Sequence, residues 1–132
     1  MATVTPKLTL TSTDLLSQNL NLNVSTSITA SATTGLARNS ITSTDKGTAS
    51  GQVTLHTAAD FTAPAYLYVK NTDSTASDHI IVYDATTSGN PILLKLQGGE
   101  FAFMPLNNSI DLKAYAVTTG TIVEFMVFGT EA

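Results

Sequence analysis

The chain contains no cysteine and no tryptophan. The first absence excludes disulfides and thiol catalysis and leaves the redox compartment open. The second weighs against glycoside hydrolysis, which needs two carboxylates at a defined separation beside sugar-binding aromatics. Charge is also scarce, at 12% of residues against about 25% in an average domain. The six basic residues, Lys7, Arg38, Lys46, Lys70, Lys95 and Lys113, are scattered, and the formal net charge is -4. Nucleic-acid binding needs clustered cations to displace counterions from phosphates, so no nucleic-acid partner is expected. The acidic excess lies after residue 60, where Asp73, Asp78, Asp84, Glu100, Asp111, Glu124 and Glu131 face three lysines, and it reads as solvated surface. No apolar stretch approaches the roughly 18 residues of a membrane helix, and Met1 to Lys7 holds no apolar h-region. The expectation is a soluble protein made in a cytoplasm, with no membrane partner.

What is present in excess is hydroxyl. Threonine and serine make up about a quarter of the 132 residues, and threonine is β-branched and suited to a pleated surface. The clearest pattern runs from Ile92 to Leu106. Apolar residues recur at every second position, as Ile92, Leu94, Leu96 and then Phe101, Phe103, which is the period of strands with one buried face. Gly98 and Gly99 between them permit a corner, and Pro105 removes a ladder donor, so the reading is strand, corner, strand. Phe101 and Phe103 are expected to anchor the core.

Similar runs lie on both sides. Residues 7 to 13 alternate as a short strand, with a turn expected at Asp14 to Ser17. A long strand is expected from Leu20 to Ala30, with Leu20, Leu22, Val24, Ile28 and Ala30 opposite Asn19, Asn21 and Asn23. Residues 33 to 52 show neither period and read as an arm or a long loop. From Val53 on, about seven short strands follow at regular spacing with turn residues between them. Leu67 and Val69 point inward opposite Tyr66 and Tyr68. Leu112, Ala114 and Ala116 oppose Tyr115, and Val123, Phe125 and Val127 oppose Ile122, Met126 and Phe128. Asn71 to Asp78 is expected to be a hairpin loop. Regular short strands without helix predict an all-β, antiparallel β-sandwich, jelly-roll-like, with an extended N-terminal arm. Residues 1–52 form the Thr/Ser/Asn-rich strand and arm region and residues 53–132 the sandwich core, within one domain.

Each candidate for chemistry is outweighed by a plainer role. Glu100, with Asp111 or Glu124, has no aromatic-lined carboxylate pair around it. Asn71, Asp73, Asp78 and Asp84 do not follow the calcium-loop spacing and suit turn geometry better. His56 and His79 lack further ligands at metal spacing. Ser50 misses the Gly-x-Ser-x-Gly pattern by one position. Asn23-Val24-Ser25 and Asn107-Asn108-Ser109 match the glycosylation acceptor only by composition. The expectation is therefore no enzyme, no cofactor and no metal.

A polar arm is costly to order without burial, and the outer faces of the late strands look too apolar for open solvent. A homo-oligomer is therefore expected, with Leu20, Leu22, Val24, Tyr66, Tyr68, Tyr115, Ile122, Met126 and Phe128 as interface residues toward another copy or a larger assembly.

The segment from Ala65 to Gly129 resembles the small all-β capsid decoration or cement proteins of tailed bacteriophages. The residues concerned are Tyr66 to Asp73, Leu94 to Phe101, Pro105-Leu106, Leu112 to Ala116 and Val123 to Gly129. The resemblance implies a virion protein on the capsid exterior, made in the host cytoplasm. It also implies a trimer and a phage major capsid protein as partner. A tail or surface module that binds carbohydrate or a receptor through Tyr66, Tyr68 and Tyr115 is the alternative.

Overall fold

The computed structural model describes residues 1–15, 17–47 and 49–132. Among the described residues it contains thirteen strands and no helix. In chain order they are β1 (Ala2–Val4), β2 (Lys7–Ser12), β3 (Leu20–Ser25), β4 (Ile28–Ala30), β5 (Ala32–Thr33), β6 (Ala37–Ile41) and β7 (Val53–His56). There follow β8 (Phe61–Asn71), β9 (Ile80–Asp84), β10 (Ile92–Leu96), β11 (Phe101–Leu106), β12 (Leu112–Ala116) and β13 (Thr121–Glu131). Seven of these lie beyond residue 52, as the spacing of apolar runs and turn residues predicts.

Two antiparallel sheets make the body. One has the order β11-β8-β13, with β6 and β5 both paired along the far edge of β13. The other has the order β10-β9-β12-β7. The pairing is nested: β9 pairs β10, β8 pairs β11, β7 pairs β12 and β6 pairs β13. Strictly alternating strands such as β8, β12 and β13 present one row of side chains to the space between the sheets. Those rows are Ala65, Leu67 and Val69; Leu112, Ala114 and Ala116; and Val123, Phe125 and Val127, all within one buried cluster. Ile80, Val82, Val53, Leu55 and Leu96 close it from the second sheet.

Residues 1 to 30 form two successive two-stranded ribbons outside the two sheets, the first of them packed on β13 through Ile28 and Ala30. β1 pairs β4, and β2 pairs β3 from Lys7↔Ser25 to Ser12↔Leu20. The two ribbons are separated at Thr5-Pro6 and Thr26-Ser27, where the Thr26 N–H donates to the Pro6 carbonyl at 3.4 Å. The turn expected at Asp14 to Ser17 lies at its tip, with Leu16 outside the described residues; there Ser12 Oγ accepts from the Leu15 N–H at 3.0 Å.

Several expectations need correction. Phe101 and Phe103 do not anchor the core: they point outward from β11 and are 62% and 40% exposed. Ala102, Met104 and Leu106 face inward instead, because the corner at Gly98 and Gly99 keeps the alternation of Leu94 and Leu96 in phase, where the apolar pattern predicts a switch. Ile92 is likewise exposed, since a bulge between Ile92 and Leu94 breaks the run before Leu94 and Leu96 reach the core. Pro105 does not end its strand; β11 is an edge strand, where a missing donor is tolerated, and it runs to Leu106. The single strand expected from Leu20 to Ala30 is two strands, separated at Thr26 and Ser27. Residues 33 to 52 are not an arm throughout, because β6 adds to β13 from Ala37↔Phe125 to Ile41↔Thr121. Asn71 to Asp78 is not a hairpin loop, as it carries the chain from β8 in one sheet to β9 in the other.

Candidate interaction surface

On the outer face of the β13 sheet, register dictates which side chains meet. Phe103 pairs with Tyr68, which pairs with Met126; Pro105 pairs with Tyr66, which pairs with Phe128; Phe101, Lys70, Glu124 and Arg38 form the next row. Cross-strand neighbours on one face touch, and the rings stack: Tyr66–Phe103, Tyr66–Phe128 and Phe103–Phe128 have centroids 5.9, 5.7 and 6.1 Å apart.

The ribbon root lies over part of this stack. In β1 and β4 the pairs Ala2↔Ala30 and Val4↔Ile28 share one face. Ile28, Ala30 and Phe128 are buried together, with Val4, Tyr66 and Met126 packed around them. Phe128 and Met126, expected at an interface between chains, are thus covered largely by their own N-terminal segment.

Beyond the root, the ribbon has two unlike faces. Leu8↔Val24 and Leu10↔Leu22 lie on one side with Leu20; Thr9↔Asn23 and Thr11↔Asn21 lie on the other. Leu20 is half-buried, and Leu8, Leu10, Leu22 and Val24 are exposed. Between the ribbon base and the edge of β11 runs a groove of about 280 Å³ lined by Pro6, Leu8, Val24, Phe101 and Phe103.

One polar cluster interrupts the apolar outer face. The Arg38 guanidinium pairs with Glu124 Oε2 at 2.5 Å, and the Tyr68 hydroxyl donates to Glu124 Oε1 at 2.9 Å. Both contacts favour the carboxylate, Arg38 more, and hold Glu124 below the usual carboxylate range. Partial burial, then the same hydrogen bond, raises the Tyr68 phenol. Charge neutralisation in place accounts for this trio.

No protein family, curated protein or solved structure matches the chain.

The remaining candidates are placed as follows. Tyr115 packs edge-on against Tyr83 at 5.9 Å on the outer face of the other sheet, so Tyr66, Tyr68 and Tyr115 do not form one platform. Ile122 is exposed opposite Ser40 on β6. Glu100 closes its turn by accepting from the Gln97 N–H at 2.8 Å. Asp73 accepts from the Thr75 N–H at 2.9 Å, and Asp78 accepts from the Thr118 hydroxyl at 2.7 Å. Asp84 accepts from the Thr87 hydroxyl and the Thr86 and Thr87 N–H groups, with the hydroxyl contributing most to holding it below the carboxylate range. Among the described residues no three His, Cys, Asp or Glu side chains gather at metal distance. Asn107 Oδ1 accepts from the Ser109 N–H at 3.0 Å, and Asn23 lies on the polar ribbon face. His79 is half-buried, and Ser50 is an exposed loop residue beside Thr48, which lies outside the described residues.

Sequence reasoning missed two buried polar residues. Asn71 donates to the Asp78 and Leu96 carbonyls at 2.6 and 3.1 Å and accepts from the Asp73 N–H at 3.0 Å, so one amide ties three segments at one end of the sandwich. Tyr83 is fully buried, its hydroxyl accepting from the Gly47 N–H at 3.2 Å and donating to Gln52 Oε1 at 2.6 Å. Tyr83 gave a signal, a phenol that follows the apolar run Ile80-Ile81-Val82, since a buried hydroxyl requires a partner.

Proposed function

We propose that the chain is a non-enzymatic structural protein of a tailed-phage virion. It sits on the capsid exterior and cements the shell by bridging neighbouring major capsid subunits, as a homo-oligomer for which three copies are the expected number. The observation that carries this reading is the N-terminal ribbon, a two-stranded extension with one aliphatic and one hydroxyl- and amide-bearing face beside an uncovered aromatic edge. An isolated two-stranded hairpin is marginal in water and gains from lying against another chain. We read the body as a jelly roll and the ribbon as its arm; the nested strand pairs support this, as they are what one long hairpin folded over itself produces. The likeness of residues 65 to 129 to decoration proteins points the same way.

Cementing acts through mass action, since a protein bound only to the assembled shell stabilises that shell. Particles depleted of the protein should lose heat resistance and regain it when the protein is added back. Depleted and decorated particles of equal stability would remove the cementing role.

A carbohydrate- or receptor-binding module is the second reading. In its favour, Tyr66, Tyr68, Phe101 and Phe103 share one outer face, and sugars bind by laying their C–H faces against such rings. A glycan array without hits, or binding unaffected by Tyr66→Ala with Phe103→Ala, would dispose of it.

A further inference from the structure

The ribbon and the β11 edge leave a single apolar surface whose composition says what covers it. Leu8, Leu10, Leu22, Val24, Phe101 and Phe103 are each between 40% and 62% exposed. At roughly 60 to 130 Å² uncovered per side chain, that is on the order of 500 Å² of apolar surface. A standard interface buries about 800 Å² per partner, of which about 60% is apolar, so this one patch supplies the apolar share of a full interface. It is also near the upper limit of what monomeric proteins leave exposed.

Charge narrows the occupant. The strands β2, β3 and β11 together hold one charged residue, Lys7. In a chain of net charge -4, this is a surface where two copies meet without opposing like charges. Placement narrows it further. Pro6, Leu8, Val24, Phe101 and Phe103 line a groove, while the Leu10↔Leu22 pair stands farther out on the same ribbon face, outside that lining, aliphatic and exposed. The chain therefore bears both an apolar groove and an uncovered aliphatic pair to enter one.

We propose that the groove receives the ribbon of a second copy of this chain, with its Leu10 and Leu22 seated against Phe101 and Phe103. This rests on the oligomer part of the reading above and adds the surface on which the copies join. The contact is head-to-tail in kind, ribbon to groove, and repeats until the copies close.

Because the chain has no cysteine, the contact is read directly by cross-linking. Leu22→Cys and Phe103→Cys proteins, mixed and oxidised, should give a mixed disulfide dimer well above that formed by either with an exposed Thr119→Cys control. Light scattering of the wild type should give a multiple of 13.8 kDa. Leu10→Asp with Leu22→Asp, and separately Phe101→Asp with Phe103→Asp, should each reduce that mass to one chain, with unchanged thermal melts showing that the sandwich persists. A wild type monomeric up to near-millimolar concentration would overturn both the surface and the oligomer. A wild-type oligomer with no excess of the mixed disulfide would overturn the surface alone, even if the aspartate variants fail to fold. Loss of capsid stabilisation is a separate measurement and bears only on cementing.

Discussion

Leu67 and Phe103 lie on paired strands but on opposite sides of the sheet, and the side decides the energetics. Leu67 is fully buried between the sheets. Truncation to alanine there leaves a cavity and should cost about 3 to 5 kcal/mol. Phe103 gives up stacking on Tyr66 and Phe128 at a site open to water, so Phe103→Ala should cost about 1 to 2 kcal/mol. Urea denaturation of the two variants checks the order, and equal losses would mean that the inward rows are misassigned. His56 raises a different question, because it is buried and neither ring nitrogen makes a hydrogen bond. Burial lowers its pKa, and the nearby Asn108 backbone, Asp60 and Asp111 offset this only in part. The unfolded chain therefore takes up the proton first. Stability should be complete above the ordinary histidine value of about 6.5 and decline as pH falls below it. His56→Leu should remove that part of the slope in a series of melts from neutral pH toward pH 5, before carboxylates titrate.

At the level of elements, alternation made the late strands legible. β8 from Ala65 on and β12 each bury one clean row, and β13 buries its inner row together with Glu124 and Phe128 on the outer side; the inward rows follow from the sequence. Phase across a corner was not legible, since nothing in Ile92 to Leu106 says whether Gly98 and Gly99 preserve or invert the alternation. β6 was hidden for another reason: of Ala37, Arg38, Asn39, Ser40 and Ile41, only Ile41 is a large buried apolar residue, and pairing with β13 makes it a strand. The ribbon's amphipathic face could be read, but not where it folds back. The two glycines of the corner also divide their work. A Cβ on Gly98 would lie 2.3 Å from the Thr75 carbonyl oxygen, whereas Gly99 has φ +84 and open space around it. Gly98→Ala forces two inter-sheet connections apart and should cost about 2 to 3 kcal/mol, and Gly99→Ala about 1 to 2 kcal/mol for its backbone alone. Chemical denaturation of both proteins tests the ranking, and a harmless Gly98→Ala would show that the two connections do not abut.

Over the whole molecule, the nested pairing makes most strand contacts distant in sequence. β6 meets β13 through Ile41↔Thr121, and among the described residues only the pairs β2–β3 and β9–β10 join strands that are neighbours in the chain. Loop closure must precede reward in such a chain, so refolding should fall in the slow range of milliseconds to seconds, which stopped-flow fluorescence of the tyrosines would follow. A microsecond phase carrying the full signal change would contradict it.

The position of β13 has a consequence for synthesis. It pairs with β5, β6 and β8, all of which precede it in the chain. While a ribosome is still making residues 121 to 131, β6 has no partner and half of the inner wall is missing. The ribbon alone has all its pairing partners early, because its four strands lie within the first thirty residues, although its root gains its seat on Phe128 only with β13. The nascent protein thus offers its sticky hairpin to the surroundings well before its body can close, and copies made on one message are near neighbours at that moment.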